Sequence, residues 1–254
     1  MRTLFLSLIM ACATTTIRAN CHFYVYAGEE SFYFWRLRDG GTKQEGRIDG
    51  IRVGIDRLKP YGWYIGADFL YADGSIRGKT GRGSPLSSEL TDEIYEIRFG
   101  YTLQNNTCRR PFITPFVGWG HFKEVNNFHP PSSLPCKFTD TFNFVAAGFL
   151  SGVNFTPLLS MGINFKVKFM QDAKSEVTED PLYDDVTLEI ENETLYRLEV
   201  PVTFTPCDAF LGLGGQITPF YEFRHFGGRE GYPFNFKDTK FHLAGIRLSL
   251  VYRF

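Results

Sequence analysis

Acidic and basic residues recur at every second position along short stretches of this chain, the spacing that lines one face of a strand. Arg52 and Asp56 share such a stretch. So do Glu96 with Arg98, Lys166 with Lys168, Arg197 with Glu199, and Glu222 with Arg224, while Asp68 and Arg247 stand in two others. Charges placed this way can pair across neighbouring strands, line a narrow polar passage, or act as general acids and bases. A catalytic set is harder to find. None of His121, His225 and His242 is followed by a serine two places on, and no Asp-x-His triplet occurs. The carboxylate pairs Glu29-Glu30 and Asp184-Asp185 are unspecific, and the acidic run from Glu176 to Glu193 does not match a calcium loop. The chain therefore reads as a non-enzyme without cofactor or metal, and its charges as the filling of an interior.

The elements that must position these charges are strands. Ile51, Val53 and Ile55 alternate with Arg52, Gly54 and Asp56; Tyr95, Ile97, Phe99 and Tyr101 alternate with Glu96, Arg98 and Gly100. The same pattern runs through 61–71, 161–169, 196–204, 217–224 and 244–254, and helical spacing explains none of it. A first strand is expected within Phe23 to Leu37, with Tyr33, Trp35 and Leu37 on its apolar side; the segment 142–155 is apolar on both faces, so its register stays open. No run approaches the ~18 apolar residues of a spanning helix. A sheet can cross lipid only as a closed barrel. Arg or Lys on its lipid side would cost ~2–4 kcal/mol each at the midplane, so the charges must face inward. The fold class is all-β: a closed antiparallel up-and-down transmembrane β-barrel of about ten strands, within a range of about eight to twelve. Trp63, Tyr101, Trp119, Tyr196 and Tyr252 are candidate interfacial anchors. The net charge of −1 argues against nucleic acid as a partner.

Residues 1–19 have the basic start, short apolar run and small-residue zone of a secretory leader, with cleavage expected after Ala19 or at an upstream Ala11-Cys12-Ala13 site. That leaves 20–254 as one barrel domain. Short turns are expected near Lys59-Pro60, 105–110, 156–159 and 206–215, and long polar loops at 39–45, 73–90, 123–140, 171–193 and 227–239. Their alternation would put both termini on the short-turn side. Cys21, Cys108 and Cys207 would then lie near that rim and Cys136 in a long loop, so a disulfide among the first three would leave one thiol over.

Over the mature length, the leader, the alternating strands, the loop asymmetry and the Phe254 ending resemble the small bacterial outer-membrane barrels, such as the OmpA membrane domain, OmpX and opacity-type proteins. The final strand, with Leu248, Leu250, Tyr252 and Phe254 on one face, resembles the C-terminal sorting signal of such barrels. The cysteines resemble those of chlamydial envelope barrels. The resemblance implies secretion to the periplasm, residence in the outer membrane, and contact with its lipid and with the barrel assembly machinery. It implies a structural or surface-interacting role through the long loops, toward a host surface or neighbouring envelope proteins. A narrow passive pore with a slight cationic bias is the alternative, since bases outnumber acids among the inward charges. A barrel hydrolase is third, because the Asp-x-His of omptin proteases and the His-x-Ser of the outer-membrane phospholipase and lipid A deacylase are missing.

Overall fold

The computed structural model describes residues 23–105, 109–132, 136–205, 212–230 and 235–253. The leader, Cys21, Cys108, Cys207 and Phe254 lie outside them. Thirteen strand segments form one antiparallel sheet closed on itself. They are β1 (Phe23–Arg38), β2 (Thr42–Arg57), β3 (Gly62–Lys79), β4 (Pro85–Gln104), β5 (Phe112–Phe128), β6 (Lys137–Asn154), β7 (Leu159–Met161), β8 (Asn164–Thr178), β9 (Val186–Glu189), β10 (Thr194–Glu199), β11 (Val202–Phe204), β12 (Leu213–Phe226) and β13 (Thr239–Arg253). β7 continues into β8, and β9 through β11 form one interrupted line, so the wall has ten staves. Closure comes from β1 pairing with β13, in register from Tyr24↔Arg253 to Arg38↔Thr239.

Each long strand carries two chemistries on one alternation. In β3 the outward residues run Trp63, Ile65, Ala67, Phe69 and Tyr71, then change to Asp73, Ser75, Arg77 and Lys79. The inward residues change the opposite way, from Tyr64 and Asp68 to Leu70, Ala72 and Ile76. β4 switches likewise, from Tyr101, Phe99, Ile97 and Tyr95 outward to Glu93, Thr91 and Glu89. The lower half of the wall therefore presents an apolar belt around a polar interior. The upper half presents a polar surface around an apolar core.

This shortens four of the five long polar loops and leaves the one at 227–239 nearly as expected. About half of the residues assigned to them extend the strands beyond the belt, and the connectors at this end are 39–41, 80–84, 129–136, 179–185 and 227–238. The physical reason is that an alternating strand leaving lipid for water keeps its phase and exchanges its faces. Ile76, Leu86, Leu90, Phe128, Val177 and Ile190 are inward and buried in these extensions. At the 39–41 turn, Gly40 and Gly41 take positive φ of 89° and 83°, which glycine adopts without steric cost.

At the upper end Cys136 is buried and in no disulfide among the described residues, and burial pushes its thiol up to about 11.

Candidate functional site in the lumen

At mid-height the inward side chains form one connected ion network. Glu30 on β1 is its hub. Arg52 donates to it at 2.7 and 3.3 Å, and Arg197 donates to both its oxygens at 3.1 Å. Arg52 also donates to Asp68 at 2.8 Å, and Arg98 lies 3.2 Å from both Asp68 and Asp56. The Tyr64 hydroxyl donates to Asp56 at 2.6 Å, across a space that a Cβ on Gly66 would fill at 2.3 Å from both groups.

On the chamber side Arg197 donates to Glu199 at 2.7 Å; toward the upper end it donates to Glu222 at 2.8 Å, and Arg224 donates to Glu222 and Asp92 at 2.7 Å each. Arg36 donates to Glu124, which also lies 3.7 Å from Arg224. On the opposite wall Lys166 donates to Glu96 at 2.7 Å, with Lys168 at 4.0 Å. Arg247 on β13 stands 3.9 Å from Glu30 and 3.7 Å from Glu199.

Each of the twelve charges expected in the interior points inward, and all twelve belong to this network. Glu30, Asp92 and Glu124 complete the acidic side and are missing from the sequence-based set. Extending the Phe32, Phe34, Arg36 face of β1 by one step reaches Glu30, and extending the Glu96, Ile94 face of β4 reaches Asp92. With them and Arg36 included, eight bases meet eight carboxylates in lumenal ion pairs among the described residues. The cationic bias expected of the interior is therefore absent from these pairs. Burying so many ions is tolerable only because each has partners; removing one partner of a buried pair costs ~3–5 kcal/mol.

An aromatic plug sits above the network. Phe122 stacks on Phe142 at 4.5 Å between centroids, and Phe226 meets Phe241 at 4.5 Å, all four fully or nearly fully buried. The two layers are joined by guanidinium groups over rings: Arg197 over Phe220 at 3.9 Å, Arg36 over Phe241 at 4.8 Å and Arg224 over Phe122 at 4.9 Å. Below the network lies a chamber of about 340 Å³, reaching from Arg52 and Asp68 to the strand ends at Gln104 and Arg253.

Outside this lumen, the expected anchors Trp63, Tyr101, Trp119 and Tyr196 are exposed on the outer wall. Leu248 and Leu250 of the last strand face outward in the belt, in line with Tyr252. His225, at the upper end of β12, lies 3.3 Å from Glu193 and pairs with Asp238, tying the 227–238 connector to the wall.

Neither a family model nor a curated protein matches this chain. Solved structures do. The outer membrane protease OmpT from Escherichia coli is 10% identical with a TM-score of 0.55, over 95% of this chain and 99% of that one. The translocator domain of the autotransporter NalP from Neisseria meningitidis is 11% identical with a TM-score of 0.51, over 100% of this chain and 96% of that one. At such identity the likeness shows the fold: a transmembrane β-barrel of the outer-membrane type.

Proposed function

We propose that this chain is an integral outer-membrane barrel with a closed lumen, which acts as a structural element and as a contact surface at its upper end. The short-turn end, with both termini, faces the periplasm, and the polar upper half projects from the cell. The observation that carries the reading is the filled interior: an ion network and an aromatic plug lie one above the other with cation–π contacts between them. What remains available to partners is the projecting surface. Its richest acidic stretch holds Glu176, Glu179, Asp180, Asp184, Asp185, Glu189, Glu191 and Glu193, fitting a basic or cation-bridged host molecule or envelope neighbour.

The narrow-channel reading has one observation in its favour, the chamber below the network. Its passage to the other face requires both network and plug to part. Planar bilayer recording on folded protein is the test. Silence is the expected result, and a reproducible conductance step would overturn the closed-lumen reading. Replacing 179–185 by a short neutral turn is expected to reduce binding to cells or envelope partners; undiminished binding would remove that stretch from the contact surface.

A further inference from the structure

The chamber beneath the ion network has a charge character that the network does not. Its walls carry seven basic and three acidic side chains. The bases are not equally occupied. Arg52 and Arg197 spend their donors on carboxylates at 2.7–3.3 Å. Among the described residues Arg247 makes no such bond. It is only 6% exposed, its Nε has no hydrogen-bond partner there, and the nearest carboxylate oxygens of those residues are 3.7 and 3.9 Å away. Both distances exceed a hydrogen bond. Two further guanidinium groups on the same walls, Arg98 and Arg253, also have an unpartnered Nε.

Four buried arginine Nε groups lack a partner among the described residues, and three of them face this one space. The fourth, on Arg36, lies outside it, and that side chain is held by Glu124 and Gln44. A buried donor left unmatched costs ~1–3 kcal/mol, more when it is charged. The planar fork of guanidinium matches the oxygens of a phosphate, and Arg247 is fixed by Tyr26 beneath it, its carbon 5.4 Å from the ring centroid. The volume of about 340 Å³ falls in the range of small-molecule sites.

We propose that the chamber binds a small phosphate-class oxyanion entering from the short-turn end, with Arg247 as the principal ligand and Arg98 and Arg253 completing the set. Asp56, Asp68 and Glu199 on the same walls oppose any anion, so preference over monovalent chloride rests on oxygens that can hold several guanidinium groups at once.

The test is calorimetric titration of inorganic phosphate into the full, detergent-folded barrel, with chloride at matched ionic strength as the control. Saturable binding of about one phosphate per barrel is expected, with no counterpart for chloride. Arg247→Gln should weaken it at least tenfold, about 1.4 kcal/mol, and Arg247→Lys should recover only part, because a point charge replaces a fork. Heat-modifiable gel mobility establishes that each variant is folded. If Arg247→Gln does not fold, Arg253→Gln at the chamber mouth takes its place, with a several-fold loss expected. Absence of saturable phosphate binding in the parent protein overturns the proposal, as does unchanged affinity in the folded variant. Binding is read here without reference to conductance, so the result is independent of whether the lumen is closed.

Discussion

Neutralising Glu30 is the sharpest probe of the buried network. In Glu30→Gln the amide keeps the shape and one acceptor, while eight bases then face seven carboxylates. Arg52 loses charge-assisted bonds at 2.7 and 3.3 Å and retains Asp68 at 2.8 Å; Arg197 loses two at 3.1 Å and retains Glu199 and Glu222 at 2.7 and 2.8 Å. Two ion contacts weaken without either arginine being stranded. At ~1.5–3 kcal/mol for a hydrogen bond to a charged group, the loss from the two contacts comes to about 3–6 kcal/mol. That matches the cost of breaking a buried pair. Equilibrium unfolding in urea, followed by Trp63 and Trp119 fluorescence and by gel mobility, would show it. With a slope of ~2 kcal/mol per molar, the midpoint should fall by about 1.5–3 M. The double variant Glu30→Gln with Arg197→Gln should be less destabilised than the sum of the singles, by at least about 1 kcal/mol. A loss within ~0.5 kcal/mol, the range of an exposed salt bridge, would refute the claim that these ions are buried and mutually dependent.

Further expectations follow from the exchange of faces and from the thiol. Ile97→Arg puts a charge on the belt and should destabilise the barrel by ~2–4 kcal/mol, whereas Arg77→Ala, outward and above the belt, should change stability by less than ~0.5 kcal/mol; urea midpoints in vesicles check both. Cys136, with its thiol raised to about 11 from an ordinary value of 9.0, should be alkylated about a hundredfold more slowly than an exposed cysteine at pH 8, as site-resolved mass spectrometry would read. The sign is that of a group kept protonated by burial: the rate should rise through pH 9 and 10 and be restored at pH 8 by unfolding.

Much of the wall was legible because lipid enforces a strict rule on every second residue. The alternation at 61–71, 95–103 and 161–169 located staves and told inside from outside. It misled where the strands leave the belt. Asp73, Ser75, Arg77 and Lys79 look like a loop to a reader searching for apolar residues, yet the inward Ala72 and Ile76 keep the beat. Glu30 was hidden for another reason. Beside Glu29 it reads as a polar doublet, and only the outward–inward sequence from Tyr33 back to Glu30 separates the two. The interruption after Met161 is a further case: β7 and β8 belong to one stave, and β7 pairs with β11 where β8 pairs with β10. The unpartnered state of Arg247 depends on distances between β13, β1 and β10, which no local pattern encodes.

The seam between β1 and β13 imposes an order on biogenesis. The carboxylate at position 30 leaves the first hairpin early, already facing Arg52 across the β1–β2 ladder, but its bonds to Arg197 span 167 residues and its contact with Arg247 needs the final strand in place. Until the last segment is synthesised and zipped to the first, the growing sheet has two raw edges and a half-neutralised anion between them. Ring completion therefore brings the Glu30 carboxylate the last of its basic neighbours, Arg247, and removes both raw edges in the same step.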